Sequence, residues 1–127
     1  MYQARIQRTF CAAHALKLPD GAFEPLHGHN WQVTVTIAAG QLDELETVVD
    51  FHWLQEQLDA VLESACNANL NHLPPFAGPD GALKVNPSAE RVAWWIATAL
   101  MPKLPRHLRL VQTEVTEAPG CSAVYQP

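Results

Sequence analysis

The fold is decided by residues 26–37, which read LHGHNWQVTVTI. From Trp31 to Ile37 large apolar side chains alternate with polar ones, the pattern of a β-strand with one buried face. Residues two positions apart in a strand point to the same side of the sheet. If the strand begins at the histidines, His27 and His29 therefore face a common target.

The rest of the chain predicts three further strands and two helices. In chain order, alternation and helical spacing predict strands over 2–14 and 31–37, helices from 51 to about 65 and from 86 to about 100, and strands over 108–117 and up to 125. No helix separates the two strands of either pair. We therefore expect an α+β fold, a four-stranded antiparallel sheet with two helices packed on one face, forming a single domain over residues 1–127. Its two unpaired edges favour oligomerisation.

Composition argues against several classes of protein. The net charge is −5, and the eight lysine and arginine residues form no basic stripe, which argues against a nucleic-acid partner. No apolar run approaches the roughly 18 residues that a membrane span needs, and the first residues do not resemble a signal peptide. Three widely spaced cysteines are typical of reduced thiols rather than of a disulfide framework. We expect a cytoplasmic protein without a membrane or nucleic-acid partner.

A third histidine, His14, lies near the end of the predicted first strand. Neutral imidazole is the commonest zinc ligand, and three protein ligands with one open position are typical of a catalytic zinc site. The pair His27 and His29 alone would be weak support, because surface strands carry such pairs by chance. With His14 added, the sequence predicts a Zn²⁺ centre on three histidines.

Several short motifs occur in an order and spacing that resemble the 6-pyruvoyl tetrahydropterin synthase and 6-carboxytetrahydropterin synthase family. They are FCAAH (10–14), HGHN (27–30), VDF (49–51), LN (70–71), LPPF (73–76), NPSAE (86–90) and EAP (117–119), the last leading to Tyr125. The resemblance implies a tunnelling fold, trimers that close a barrel, usually paired into hexamers, and zinc on His14, His27 and His29. It also implies a pterin substrate, typically 7,8-dihydroneopterin triphosphate.

The resemblance assigns the pterin anchor to Glu117. A carboxylate can accept two parallel hydrogen bonds from the amino and ring N–H groups of a pterin, as it does from a guanidinium. Without the resemblance, a solvated strand glutamate is the simpler interpretation of this residue. Zinc near the hydroxylated side chain of such a substrate would act as a Lewis acid.

The chain departs from the family pattern just before the histidine pair. Where many members have a catalytic cysteine, this sequence has Phe23, and the next residue is Glu24. Glu24 resembles a branch of the family in which a glutamate replaces the cysteine and the product is 6-hydroxymethyl-7,8-dihydropterin. As general base, Glu24 would take the proton of the 2′-hydroxyl and drive a retro-aldol break between the first two side-chain carbons. The alternative is an exposed loop glutamate.

A second departure concerns proton transfer. The Asp-His pair of the family falls here on Cys66 and Asn67. We predict that His72 replaces the lost relay and that Asn67 hydrogen-bonds a substrate hydroxyl, although a loop histidine is more often only solvated.

The leading hypothesis is therefore a zinc-dependent lyase that acts on the side chain of 7,8-dihydroneopterin triphosphate or a close relative. One alternative keeps the enzyme class but makes 6-carboxy- or 6-pyruvoyl-tetrahydropterin. The other, motivated by the lost Asp-His pair, is a protein that binds zinc and a pterin or purine without turnover.

Overall fold

The stretch that begins at the two histidines is the central strand of a five-stranded sheet. The computed structural model describes all residues from 1 to 127. The strands are β1 (Tyr2–His14), β2 (His27–Ala39), β3 (Ala68–Asn69), β4 (Leu108–Ala118) and β5 (Cys121–Tyr125), and the helices are α1 (Phe51–Leu62) and α2 (Ala89–Leu100). The order across the sheet is β3-β1-β2-β4-β5. No helix of the structure is long and apolar enough to cross a bilayer.

The predicted α+β class, two helices packed on a sheet, is confirmed, whereas the strand count of four was one too low. The additional strand, β3, is only two residues long and pairs parallel to β1, with Ala12 opposite Ala68. A two-residue strand is too short to show alternation, so no pattern in the sequence predicts it. The sheet is therefore mixed rather than purely antiparallel.

Both helices begin at side-chain caps. The carboxylate of Asp50 accepts a hydrogen bond from the backbone N–H of His52, and the hydroxyl of Ser88 accepts one from Arg91. The predicted first helix ends at Leu62 and continues to Ala65 as a 3-10 turn. The second starts at Ala89, because the NPS segment before it supplies the cap rather than the first turn.

The register of β1 on β2 determines where the histidines lie. In this antiparallel pair His14 stands opposite His27, Ala12 opposite His29 and Phe10 opposite Trp31. Within each strand these positions are two residues apart and so lie on one face, and the histidines therefore extend the row of side chains that faces the core. They lie at the end of the strands where the helices no longer cover the sheet completely, since His27 and His29 are only partly buried.

Trp31 separates the hydrophobic core from the histidines. It is fully buried, it stacks on Phe10, and its ring meets the rings of His14 and His29 edge-on, with centroids 4.8 and 5.4 Å away. Its indole N–H donates a 3.0 Å hydrogen bond to the carbonyl of Ala12. The same side chain therefore closes the core and supports two of the predicted metal ligands.

We expect Trp31→Phe to lower the free energy of unfolding by about 1–3 kcal/mol, because it leaves the Ala12 carbonyl without this donor and opens a small cavity. Urea denaturation followed by circular dichroism measures the change. The matched control is Trp53→Phe, at a half-buried tryptophan whose indole makes no hydrogen bond. An equal loss in both variants would contradict the role given to Trp31.

Candidate functional site

Four side chains meet at the open end of β1, β2 and β4. They are His14, His27, His29 and Glu117, and one potential ligand atom from each lies within 4.8 Å of all the others. The Nε2 atom of His14 is 3.1 Å from Nε2 of His27 and 2.9 Å from Oε1 of Glu117, which in turn is 3.4 Å from Nε2 of His29. Ligands at about 2.0–2.2 Å from a tetrahedral zinc are about 3.3–3.6 Å apart. The three separations given above, 2.9 to 3.4 Å, are close to that spacing.

Backbone carbonyls orient two of the imidazole rings. The Nδ1 atom of His14 is 2.7 Å from the carbonyl oxygen of Pro87, and Nδ1 of His27 is 2.7 Å from that of Pro25. A carbonyl oxygen only accepts, so Nδ1 of each ring carries the proton and donates. In the neutral form of each ring, Nε2 then carries a free lone pair, the arrangement found around metal-binding histidines. Two such lone pairs 3.1 Å apart repel each other unless a cation lies between them.

His29 supplies an independent observation. Its Nε2 atom is buried and makes no hydrogen bond, although Oε1 of Glu117 is nearby. Burial lowers the pKa of His29 below its usual value; the Glu117 carboxylate opposes that shift, and His14 and His27 add to it. Burial therefore favours the neutral ring, the form that binds a metal.

The donor set fits a zinc ion. A buried Nε2 atom without a partner and two imidazoles oriented by backbone carbonyls are features of a zinc site. His14, His27 and His29 would hold the ion and leave one position open, and the Glu117 carboxylate lies beside them. The identity of the ion stays a prediction.

A bulge in the sheet explains the position of Glu117. The pairing of β4 with β5 shifts between Thr116 and Ala118, so Glu117 is the residue left out of the regular ladder. Such bulges bend a strand and redirect the side chain of the extra residue. Pro119 and Gly120 are typical turn residues, but no pattern in the sequence predicts the bulge beside them.

Glu24 lies on the metal side of its loop. One carboxylate oxygen is 4.0 Å from Nε2 of His27 and accepts a 3.0 Å hydrogen bond from the backbone N–H of Leu16. The side chain of Glu24 is 30% exposed, whereas its neighbour Phe23 is 52% exposed. The structure thus places a carboxylate beside the candidate metal centre; its role as base stays a prediction.

The other two predicted residues are not brought to this cluster within one chain. His72 is exposed in the turn that follows β3, and it makes no hydrogen bond or ion pair with the four donors. Asn67 is exposed with φ at 56°, a left-handed conformation that asparagine tolerates well, and its backbone N–H donates to the carbonyl of Cys11. Local backbone geometry therefore gives Asn67 a structural role. Both proposed functions remain predictions.

A cavity of about 190 Å³ adjoins the cluster at Glu117. It lies between the start of α2 and the hairpin of β4 and β5. Its walls are formed by Leu16, Ser88, Ala89, Glu90, Glu117, Cys121, Ser122 and Ala123. Glu117 belongs to both the cavity and the donor cluster, so a molecule held in the cavity has one end next to the histidines.

Comparison with known proteins agrees with the motifs. The chain is 30% identical over 117 residues to dihydroneopterin monophosphate aldolase from Pyrococcus furiosus, covering 91% of this chain and 90% of that protein. It is also 30% identical over 125 residues to 6-carboxy-5,6,7,8-tetrahydropterin synthase from Rickettsia bellii, covering 88% and 91%.

The fold also matches that of a solved structure. Caenorhabditis elegans 6-pyruvoyl tetrahydropterin synthase superposes with a TM-score of 0.74 at 21% identity, over 100% of this chain and 97% of that one. A family model described as 6-pyruvoyl tetrahydropterin synthase matches residues 3–127. The motifs, the fold and this match agree, and the chain belongs to the 6-pyruvoyl tetrahydropterin synthase family.

Proposed function

We propose that the protein is a zinc-dependent lyase that cleaves the side chain of a 7,8-dihydroneopterin phosphate to give 6-hydroxymethyl-7,8-dihydropterin. The observation that carries the proposal is the Glu24 carboxylate, 4.0 Å from the Nε2 atom of His27 in a loop that has no cysteine. Family membership supports an enzyme that acts on pterins. The relative from Pyrococcus furiosus, named as an aldolase, supports carbon–carbon cleavage.

The chemistry follows from the groups at the site. When bound, Zn²⁺ supplies a Lewis acid that lowers the pKa of a nearby hydroxyl. Glu24 removes the proton from the 2′-hydroxyl, and the O–H electron pair becomes the new carbonyl bond at C2′. The bond between C1′ and C2′ breaks, its electron pair passes to C1′ and the adjoining ring imine, and C1′ takes up one proton. The products are the hydroxymethyl pterin and a phosphorylated two-carbon aldehyde.

Glu24 is arranged to take part in both proton steps. Oε1, the oxygen that lies 4.0 Å from His27, accepts the hydrogen bond from the Leu16 N–H, which holds the carboxylate beside the cluster. The other oxygen is left for the substrate proton. One proton leaves the 2′-oxygen and one proton is added to C1′. A single carboxylate can therefore serve first as base and then as acid.

Glu117 and the adjoining cavity support the orientation of the substrate. A pterin ring in the cavity would present its amino and N–H groups to the Glu117 carboxylate. The hydroxyls of Ser88 and Ser122 line the same space. The phosphorylated side chain would then extend past the three histidines and Glu24.

A second candidate is 6-carboxytetrahydropterin synthase activity, which the equally identical relative from Rickettsia bellii favours. That reaction would need proton-carrying groups other than the Cys66 and Asn67 found at the family positions. Product identification by mass separates the two candidates. Tight pterin binding without any product would instead support a protein that binds zinc and a pterin or purine without turnover.

We also propose that the chain assembles into a trimer or hexamer. On the outer side of β1, the segment around β3 pairs only with residues 11–13, so the outer backbone groups of residues 2–10 are left open. At the opposite end of the sheet, β5 is a second open edge. Closing such edges against other copies removes unpaired backbone groups.

His27→Ala should abolish stoichiometric zinc, because it removes one of the three imidazoles that would hold the ion. Metal content is measured by mass spectrometry of the purified protein after dialysis. His72→Ala, which removes an exposed histidine away from the cluster, is the matched control and should keep one zinc per chain. Zinc retained by His27→Ala would refute the metal centre.

Glu24→Gln should lower kcat by about 10²–10⁴-fold, since it removes the general base without changing the shape of the side chain. Both 7,8-dihydroneopterin triphosphate and the monophosphate are used as substrates, with products identified by mass. Zinc content and pterin affinity should stay unchanged. The control is Glu44→Gln at an exposed glutamate, and full activity in Glu24→Gln would exclude Glu24 as the base.

Light scattering after size exclusion should give a mass three or six times the 14.0 kDa of one chain. Replacing Arg5 or Gln7 by proline on the open side of β1 should reduce that mass, because proline cannot donate to a neighbouring strand. Gln41→Pro, in the loop after β2, is the control. A monomer at micromolar concentration would contradict the assembly.

A further inference from the structure

Directly after His14, two asparagine side chains hold the backbone of alternate residues. The amide of Asn71 accepts from the N–H of Ala15 at 2.9 Å and donates to its carbonyl at 2.7 Å. The amide of Asn86 does the same to Lys17, at 2.7 and 3.0 Å. Each amide thus satisfies both backbone groups of one residue, as a neighbouring strand would. We name Asn71 and Asn86 the asparagine clamp.

The residue between the two clamped positions turns its backbone groups the other way, as alternation in an extended chain requires. The N–H of Leu16 donates to the Glu24 carboxylate at 3.0 Å, and the N–H of Glu24 donates to the Leu16 carbonyl at 3.0 Å. The tripeptide 15–17 therefore has the asparagine clamp on one edge and Glu24 on the other. The position of the Leu16 N–H determines where the carboxylate lies.

The loop that carries Asn86 also contacts one of the predicted metal ligands. Asn86 precedes Pro87, whose carbonyl accepts the hydrogen bond from Nδ1 of His14. The same loop therefore orients a predicted metal ligand and fixes Lys17. No regular strand runs beside residues 15–17, so without the two amides the backbone groups of Ala15 and Lys17 would lose these partners.

We propose that Asn71 and Asn86 are positioning residues, which act through the Leu16 N–H to hold the Glu24 carboxylate at its distance from the metal centre. The inference rests on the proposed function, in which Glu24 is the base. A displacement of about 1 Å at a reacting group can cost about 10²-fold in rate. The clamp is the structural element that prevents such a displacement.

A double-mutant cycle with the zinc-loaded protein tests this, using Asn86→Ala, Glu24→Gln and the double variant. Asn86→Ala should lower kcat by about 10–100-fold, while KM and zinc content change less than about threefold. In the Glu24→Gln background, Asn86→Ala should cause no further loss, because the group it positions is already absent. Gln41→Ala, which removes an exposed amide without hydrogen bonds, is the control.

Different results would contradict the proposed function and the positioning role of the clamp. Full activity in Glu24→Gln would show that Glu24 is not the base and would contradict the proposed function. Glu24→Gln could instead be strongly impaired while Asn86→Ala lowers kcat by the same factor with and without the Glu24→Gln substitution. That result would refute the positioning role of the clamp and leave the proposed function standing. An Asn86→Ala variant with unchanged kcat would refute the positioning role as well.

Amide hydrogen exchange tests the clamp without measuring activity. If Asn86→Ala does not fold, Asn86→Asp takes its place. The aspartate still accepts from the Lys17 N–H but cannot donate to its carbonyl. We expect the amides of both Lys17 and Leu16 to exchange faster by tenfold or more in Asn86→Ala, with a smaller effect in Asn86→Asp. Faster exchange at Lys17 alone would show that the clamp does not reach Glu24, and would refute the proposal.

Discussion

The antiparallel register between β1 and β2 is the constraint on which the site depends. It sets His14 opposite His27 and lets His29 follow two residues later on the same face. A slip of one residue would turn the side chain of His14 to the other side of the sheet, because successive side chains alternate. Trp31 opposes such a slip, since its large buried ring and its indole hydrogen bond to Ala12 fit one register only.

The site is electrostatically prepared for a cation. Three imidazoles with their Nε2 atoms facing one another would repel, and the nearby carboxylates of Glu24 and Glu117 add two negative charges. A divalent ion would offset both the repulsion between the imidazoles and the charge of the carboxylates. Because such an ion would bind the folded arrangement and not the extended chain, its affinity would also contribute to the stability of this end of the sheet.

The strands and helices with a long alternating or helical pattern could be predicted from the sequence. The contacts between residues far apart in the chain could not. Alternation from Trp31 to Ile37 located the central strand, and the motif around His14 located the third imidazole. The short strand β3 and the bulge at Glu117 have no periodic signature, because each involves only one or two residues. The clamp joins residues 56 and 69 positions apart, a pairing that local propensity does not encode.

The contact between Glu24 and Leu16 uses backbone atoms on one of its two sides, where the Glu24 N–H donates to the Leu16 carbonyl. That bond does not involve the side chain at position 24, so an exchange of this residue would keep it and would remove only the partner of the Leu16 N–H. Under the proposed function, the frame that holds the histidines and the cavity is therefore largely independent of the one side chain that acts as base. Such modularity would let relatives that share this frame diverge in product through very few substitutions.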